Sequence, residues 1–187
     1  VALWWVLREV ELAGLRLHPS SARAWEDAGV RKATLFLPIT KTDQTGRGSA
    51  RTRACICREA ELSDGRVHVG RAGCCPACTV WAQLAEVEEA TGIDRNDPAA
   101  RAVPLFPTAE GRPADKRAVV EAWDVLLAAV AGAWNYGTEE EAAWGEYAGV
   151  DGHSPRRSAA KLLSRLGWPR EAVAFLGRWG SDAILAY

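Results

Sequence analysis

Apolar residues recur at helical spacing in several segments of the chain. They fill positions 1 to 7 without interruption, and charge first appears at Arg8, Glu9 and Glu11, so the pattern predicts one buried helix over residues 1–17. Further helices are predicted over 79–90, ending near Gly92, and over 114–131. The second of these has six apolar positions that share one helical face: Val119, Val120, Trp123, Leu126, Leu127 and Val130.

The C-terminal part of the chain favours short helices. Thr138 and Glu141 form a capping-box pattern before an acidic helix over 138–147. Three more helices are predicted after it, over 153–166, 170–176 and 181–187, separated by Gly167, Pro169 and Gly180. An irregular connection over 94–113 carries four prolines, and residues 104–107 are expected to anchor it.

Two segments favour β-strands. Residues 32–40 are rich in β-branched and aromatic side chains, residues 49–57 partly alternate, and turn formers fill 42–48 between them. A β-hairpin follows, with Lys41 where the first strand meets a long tip. The predicted fold is mainly α (α+β), with helices beside a small antiparallel hairpin sheet.

Composition bounds the fold to one globular domain. The 187 residues are 48% apolar and 25% charged, which excludes a disordered tail, a collagen and a coiled coil. The wholly apolar run over residues 1–7 is far shorter than the roughly 20 residues of a membrane span and lacks the features of a signal peptide. The chain has no methionine and stops inside a predicted helix, so we expect residues 1–187 to be a domain truncated at both ends.

Charge is distributed unevenly behind a net value of −1. Residues 1–82 carry 12 basic and 8 acidic side chains, residues 83–150 carry 5 and 13, and residues 151–187 carry 6 and 3. A basic stripe over 31–58 could follow a phosphate backbone, or it could be a solvated hairpin with ordinary surface charge. Its members are Arg31, Lys32, Lys41, Arg47, Arg51, Arg53 and Arg58, against Asp43 alone.

The last 36 residues carry three motifs in order. They are the H-x-x-R of His153 and Arg156, the L-G-R-W of residues 176–179, and Tyr187, eight residues beyond Trp179. This arrangement resembles the catalytic end of tyrosine recombinases, the phage integrase family. The K-T-D-Q and G-R-W-x-S-D stretches look most like retrotransposon-encoded eukaryotic members.

Two upstream motifs extend the resemblance over the whole chain. Arg8, Glu11, Leu12 and Leu15 match the family's Arg-x-x-Glu-Leu-x-x-Leu helix, and Lys41 occupies the place of its hairpin lysine. Singly, each of these residues has an ordinary structural interpretation, such as a surface histidine or a core tryptophan. Their joint, ordered occurrence favours the family.

The resemblance implies cleavage and rejoining of double-stranded DNA through a 3′-phosphotyrosyl intermediate, for integration or excision of a mobile element. Phosphoryl transfer needs a nucleophile, cations for the equatorial oxygens and a proton donor, and arginine suits the second task because its planar fork holds two phosphate oxygens. No metal or cofactor is needed for this chemistry. The implied roles are a phosphate clamp from Arg8 and Arg156, orientation by Glu11, a general acid in Lys41, proton transfer or phosphate positioning by His153, packing and an indole N–H from Trp179, and nucleophilic attack by Tyr187.

Several departures and alternatives accompany the resemblance. The tyrosine lies eight rather than nine residues after the tryptophan, and Pro155 replaces an apolar residue in the first helical turn. Alternatives are a type IB topoisomerase, against which the G-R-W element argues, and a zinc-stabilised DNA-binding module that no longer cuts. We expect self-association on DNA in the full-length protein, no membrane partner, an intracellular location (nuclear in a eukaryote, otherwise cytoplasmic), and inactivity if the truncated segments are required.

All five cysteines lie within residues 55–78, which we interpret as a zinc-binding insertion. Cys55-x-Cys57 and Cys75-x-x-Cys78 are paired knuckles about twenty residues apart, a spacing that suits tetrahedral Zn²⁺. Cys74 would be spare, and His68 is a weaker substitute ligand. Structural zinc is favoured over free buried thiols, and both over disulfides, since a DNA-acting protein lives in a reducing compartment.

Overall fold

A small antiparallel sheet and a set of helices make up the part of the chain that the structure describes. The structure is a computed structural model and describes residues 1–37, 48–57, 59–61, 67–69, 75–134, 151 and 153–179. The sheet has three strands in the order β1-β2-β3, namely Ala22–Asp27, Val30–Leu37 and Ser49–Ala54. The expectation of helices beside a small antiparallel sheet is therefore confirmed.

The predicted hairpin corresponds to β2 and β3, which pair antiparallel with Leu35 opposite Arg51. Its tip, with Lys41, lies outside the described residues. Strand β1 was not predicted, because its sequence ARAWED mixes charged and apolar residues without a clear alternation. It is a strand because its backbone pairs with β2 over the whole of its length. A separate two-stranded ladder joins β4 (Glu59–Glu61) to β5 (Val67–Val69) in the cysteine-rich segment.

The prediction of one helix over residues 1–17 is wrong. Two short helices occupy this segment, α1 (Ala2–Trp5) and α2 (Glu9–Ala13). They are separated at Val6, whose φ of 52° is left-handed, and at Arg8, which has an extended backbone. The break separates neighbouring side chains, because Val6 packs in one hydrophobic cluster while Trp5 and Leu7 pack in another.

Helix α3 (Pro76–Thr91) confirms the prediction of a helix that ends near Gly92, which caps it with a φ of 67°. The proline-rich connection after it is irregular apart from a 3₁₀ turn at Pro98–Arg101. It is anchored by Leu105, which is fully buried. The Leu105 N–H donates to the Leu15 carbonyl at 3.0 Å, and Gln83 Nε2 donates to the Leu105 carbonyl at 2.9 Å.

Helix α4 (Lys116–Trp134) confirms the helix predicted over 114–131, and among its side chains described over 116–129 burial is concentrated in the first turns. Val119 belongs to the core and Trp123 packs against it, whereas Leu126 and Leu127 are 63% and 43% exposed. The helix is attached at its N-terminal end, where Lys116 lies 3.5 Å from the buried Glu9. The acidic helix expected over 138–147 and the helix expected over 181–187 lie outside the described residues.

Helices α5 (Ser154–Arg165) and α6 (Arg170–Gly177) confirm the predictions for 153–166 and 170–176. They enclose a second, smaller core with Val6 of the N-terminal segment. The first core lies between the sheet, α1 to α4 and the proline-rich connection. Members of the small core are Val6, Ala159, Ala160, Leu163 and Val173.

Candidate functional site

A buried carboxylate joins the N-terminal segment to the two C-terminal helices. Glu11 is 2% exposed, and its Oε2 accepts a hydrogen bond from the Arg8 backbone N–H at 2.9 Å. The same oxygen lies 4.0 Å from Nη1 of Arg156, which is 1% exposed. Oε1 of Glu11 forms an ion pair with Nη2 of Arg178. Two guanidinium groups from the C-terminal segment therefore meet at one buried carboxylate, which also caps α2 through the Arg8 N–H.

Trp179, the tryptophan of the L-G-R-W motif, packs on Arg156. The Arg156 guanidinium carbon lies 4.6 Å from the centroid of a Trp179 ring, a cation–π distance. This position requires Gly177, because a Cβ there would lie 1.8 Å from Cζ3 of Trp179. The glycine of the motif thus permits the ring to fold back over the end of α6 and reach Arg156.

Arg178 caps α6 in a conformation that usually belongs to glycine. Its φ and ψ are 54° and 41°, and the Arg178 and Trp179 N–H groups donate to the carbonyls of Phe175 and Ala174 at 3.2 and 3.0 Å. These two bonds are the pattern of a Schellman motif. A side chain in the left-handed region costs roughly 1–2 kcal/mol, so the arginine is retained at an energetic cost. The cap places its guanidinium against Glu11.

Two further arginines reach the same region from the sheet. The side chains of Arg51 and Arg53 lie on the half-buried face of β3, which alternates with an exposed face. Arg51 Nη2 donates to the Phe175 carbonyl at 2.8 Å, and the guanidinium lies 4.3 Å from the centroid of the Phe175 ring. Arg53 Nη2 donates to the Trp4 carbonyl at 3.4 Å. We call Arg8, Arg51, Arg53, Arg156 and Arg178 the arginine cluster.

The side chains of the arginine cluster bring several positive charges close together, and the pKa values of two of them are lowered. Burial, followed by the neighbouring charges of Arg178 and Arg53, lowers the pKa of Arg51. Burial also lowers the pKa of Arg53. Glu11 is the carboxylate that ion-pairs with members of the cluster in the described part of the chain. The site therefore has an excess of positive charge around one carboxylate, which suits an anion.

His153 is exposed, in contrast to the buried Arg156 on the next turn of α5. It is the N-cap residue of that helix, and its backbone N–H donates to Asp151 Oδ1 at 2.8 Å. This hydrogen bond, with a smaller contribution from Ser154, lowers the pKa of Asp151. The imidazole therefore lies at a solvent-facing helix start, beside an exposed carboxylate.

Of the seven residues that the sequence predicts for catalysis, the structure brings four to one place, namely Arg8, Glu11, Arg156 and Trp179. Arg8 is tied there through its backbone, and its Nε is buried without a hydrogen bond to a described residue. His153 lies on the surface near this group, and Lys41 and Tyr187 lie outside the described residues. Sequence reasoning missed Arg178 and Arg51. The signal for Arg178 was its place in the L-G-R-W motif, and for Arg51 the charge of the basic stripe.

The four predicted metal ligands converge at a second site. Sγ of Cys55 lies 3.5 Å from that of Cys78 and 3.6 Å from that of Cys75, and Sγ of Cys57 lies 3.8 Å from that of Cys78. All four sulfurs lie within 4.8 Å of one another. A disulfide would require about 2.05 Å, whereas a ZnS₄ tetrahedron with Zn–S bonds of 2.3 Å has edges of about 3.8 Å. The four could hold a metal ion with the geometry of structural zinc.

Backbone donors prepare the cysteine site for negative charge. The N–H of Ile56 donates to Cys75 Sγ at 3.4 Å and that of Cys57 to Cys55 Sγ at 3.3 Å. Burial opposes ionisation of Cys75, but hydrogen bonds from backbone N–H groups and neighbouring thiols lower its pKa to about 6. Burial and hydrogen bonds with the thiols of Cys55, Cys75 and Cys57 raise the pKa of Cys78. The site joins the end of β3 to the start of α3.

The sequence also predicts a spare cysteine, Cys74, and a weaker substitute ligand, His68. Cys74 lies outside the described residues, and His68 is a residue of β5 whose backbone pairs with Ala60. The four described cysteines are free of disulfides.

Comparison of the chain with protein-family models and with curated proteins finds no match. Among the described helices, none is both long enough and apolar enough to cross a membrane.

Proposed function

We propose that the chain is the catalytic domain of a DNA-cleaving and rejoining enzyme that acts in the manner of tyrosine recombinases, on double-stranded DNA of a mobile element. One observation carries the proposal, namely the meeting of Arg8, Glu11, Arg156 and Trp179 from the two ends of the sequence. Residues 11 and 156 are remote along the chain, so nothing local requires Arg156 to contact the carboxylate that caps Arg8. An ordered motif set whose members also converge in space is the expected signature of a single active site.

Each residue has a defined task in the proposed reaction. The Tyr187 Oη attacks the phosphorus, a 3′-phosphotyrosyl bond forms, and the bond to the 5′-oxygen breaks. Lys41 gives its proton to the leaving 5′-oxygen, and the exposed His153 takes the tyrosine proton. Arg8 and Arg156 stabilise the charge on the non-bridging oxygens. The reverse attack by a 5′-hydroxyl rejoins the strand without an external energy source.

Glu11 has a positioning task in this reaction. Its carboxylate holds Arg156 from one side and Arg178 from the other, so the guanidinium groups are oriented before the phosphate arrives. Trp179 packs against Arg156 and restricts its movement. Because Arg156 is 1% exposed, a phosphate reaches it only when a neighbouring group moves, and Arg178, at 13%, is the outer partner of Glu11.

The test is covalent capture of DNA. The chain, and a version extended at both ends, are incubated with nicked suicide duplexes, and a covalent protein–DNA band is sought on denaturing gels. We expect Tyr187→Phe to abolish the band, since removal of the nucleophile leaves no route to the adduct, and Arg156→Gln to reduce its rate by at least about 100-fold. Tyr147→Phe is the matched control and should retain the band.

The same experiment separates the alternatives. A band that persists in Tyr187→Phe overturns the nucleophile assignment. Relaxation of supercoiled plasmid without strand exchange favours a type IB topoisomerase, and DNA binding without any adduct in the extended protein favours a non-cutting binding module. Self-association on DNA is expected, and it is measured as dimeric or tetrameric complexes on a duplex by light scattering.

We also propose that the four converging cysteines bind one structural Zn²⁺. Three of the six sulfur separations, at 3.5 to 3.8 Å, support this ligand set, with all four sulfurs within 4.8 Å of one another. The backbone N–H groups directed at Cys55 and Cys75 support it as well. The ion would fasten the strand that follows the Lys41 hairpin to α3, so its task is to hold the hairpin in place. It has no part in the chemistry at phosphorus.

Metal analysis of the purified chain tests the zinc proposal. We expect about one equivalent of zinc, and a loss of roughly half or more of the folding stability on chelation, because binding free energy at such sites is folding free energy. Cys78→Ser should lose the metal. Cys74→Ser, outside the proposed ligand set, should keep it. Less than a tenth of an equivalent of any metal, with unchanged unfolding in chelator, would refute the site.

A further inference from the structure

Strand β3 contributes an arginine for which the proposed mechanism has no task. We infer that Arg51 is an additional phosphate-binding residue of the arginine cluster, acting together with Arg178 on the phosphodiester backbone of DNA. This inference rests on the proposed function, since it assumes that the cluster receives a DNA strand. It adds a phosphate contact from the sheet to the clamp of Arg8 and Arg156.

The position of Arg51 follows from the sheet. Arg51 pairs with Leu35, which is fully buried, and paired residues of antiparallel strands share one face. Its side chain therefore leaves β3 on the face that carries the core. The hydrogen bond to the Phe175 carbonyl and the contact with the Phe175 ring then fix the guanidinium at the C-terminal end of α6. Arg178 lies three residues after Phe175 in the sequence, so both arginines lie at the C-terminal end of α6.

The charge around Arg51 is unbalanced. Among the described residues no carboxylate forms an ion pair with Arg51, and its Nε is buried without a hydrogen-bond partner. Its charged neighbours are Arg178 and Arg53, both of which repel it. The nearby carboxylate, Glu11, is already in contact with Arg156 and Arg178. Guanidinium groups held together in this way are stabilised by an anion with several acceptor oxygens, and a phosphodiester is such an anion.

The backbone geometry of Arg178 provides separate support. A left-handed cap residue is usually glycine, and an arginine there stores strain that the rest of the structure must overcome. The strained cap places the Arg178 guanidinium against Glu11, where its charge acts on Arg51. Arg51 and Arg178 thus form a cationic pair beside the clamp of Arg8 and Arg156.

A purely structural interpretation of Arg51 would make it a cap for the Phe175 carbonyl at the end of α6. Arg51→Gln distinguishes the two roles, because glutamine retains a side-chain N–H donor but loses the charge. Arg51→Lys retains the charge. The matched control is Arg23→Gln on β1, an exposed arginine that stacks on Trp25 at 5.3 Å, away from the cluster.

The experiment measures the affinity of the full chain for a 20-base-pair duplex by fluorescence anisotropy from 50 to 200 mM NaCl. Each phosphate contact contributes about 0.9 to the slope of log K against log salt. We expect Arg51→Gln to lower the magnitude of the slope by about 1 and the affinity by roughly tenfold at 100 mM salt. Arg51→Lys should keep the slope, and Arg23→Gln should match the wild type.

The outcomes of this experiment separate a failure of the proposed function from a failure of the assignment of Arg51. A wild-type chain without salt-dependent binding refutes the proposed function, and the inference with it. Wild-type binding with an unchanged slope in Arg51→Gln, or with an equal loss in Arg23→Gln, refutes the inference alone. Should Arg51→Gln fail to fold, the wild type gives the answer through its Arg51 Nε–H resonance, assigned with Arg51→Lys. A shift of that resonance on addition of duplex supports the contact, and an unchanged resonance at saturation refutes it.

Discussion

At the scale of single residues, the site depends on one glycine as much as on its charged groups. Gly177 has no side chain, and the Trp179 ring occupies the space that a Cβ would need. The ring in turn covers Arg156, so the smallest residue of the motif determines where the largest one lies. Loss of this fit would disturb a guanidinium that is otherwise fully enclosed.

Gly177→Ala should destabilise the protein by about 2 kcal/mol, because the added methyl group displaces the indole from Arg156. The free energy of unfolding in urea measures the effect. The control is the same change in a Trp179→Ala background, where the space is empty. There we expect alanine to be neutral or stabilising by up to about 1 kcal/mol, since alanine favours helix more than glycine does. Equal losses in both backgrounds would contradict the steric explanation.

At the scale of elements, side-chain hydrogen bonds at the end of helix α3 stabilise the turn that follows it. The end of α3 is held by Glu88, which accepts hydrogen bonds from the backbone N–H of Arg95 at 2.8 Å and from Arg95 Nε at 2.7 Å. These contacts close the turn that leads into the proline-rich connection. The side-chain hydrogen bond from Arg95 lowers the pKa of Glu88, although burial opposes it.

The lowered pKa of Glu88 predicts a pH-dependent contribution to stability. A carboxyl whose folded pKa lies below its unfolded value of about 4.3 stabilises the fold fully above that value, and the contribution is lost as the pH falls through the folded pKa. Glu88→Gln should therefore cost up to about 1 kcal/mol at pH 7, and progressively less below pH 4. Urea unfolding at a series of pH values tests this. The exposed neighbour offers the control Glu89→Gln, which should show no comparable pH dependence; a difference independent of pH would contradict the assignment.

At the scale of the whole molecule, two hydrophobic cores are joined by a charged connection. Val6 supplies the apolar link by packing with Leu163 and Val173, while its neighbour Leu7 packs in the larger core. Glu11 supplies the charged link by contacting Arg156 and Arg178. The C-terminal helices are therefore attached to the N-terminal segment through one apolar and one charged contact region.

Glu11→Gln should loosen this attachment selectively. The change leaves the guanidinium groups without their buried counter-charge, and breaking a buried pair typically costs about 3–5 kcal/mol. Hydrogen exchange should show faster exchange at the amides of Ala159, Ala160 and Leu163 than in wild type, with much smaller changes at Ala33 and Leu35 in the sheet. Glu171→Gln, at an exposed position of α6, should leave both regions unchanged. Uniform loss of protection would show instead that the two cores open as one unit.

Several elements could be predicted from local sequence alone. Helices α3, α5 and α6 follow from apolar spacing and from their terminal proline and glycine residues, and the β2–β3 hairpin follows from β-branched content around a turn-rich segment. The Cys₄ set follows from knuckle spacing, and its four sulfurs do meet. The helices and the hairpin depend on residues close together in the sequence, and the Cys₄ set depends on the spacing of one residue type. Both can be recognised from the amino-acid sequence.

Other features depended on contacts between distant residues. The N-terminal apolar run is broken at Val6, because residues 5 to 7 pack into two separate cores. Strand β1 exists because β2 offers it a backbone to pair with, in spite of its charged sequence. Leu126 and Leu127 have helical spacing yet remain exposed, since the core contacts described for α4 come from its first turns.

By itself, the sequence determined which chemical groups are available and their order, from Arg8 to Trp179, together with the cysteine spacing and most helices. Only the tertiary structure decided that Glu11 lies between Arg156 and Arg178, and that Arg51 crosses from β3 to the end of α6. The physical reason is that charge and burial at a site are sums over neighbours in space. A linear sequence states the charge of each arginine, but not which carboxylate balances it or where the positive charge is left in excess.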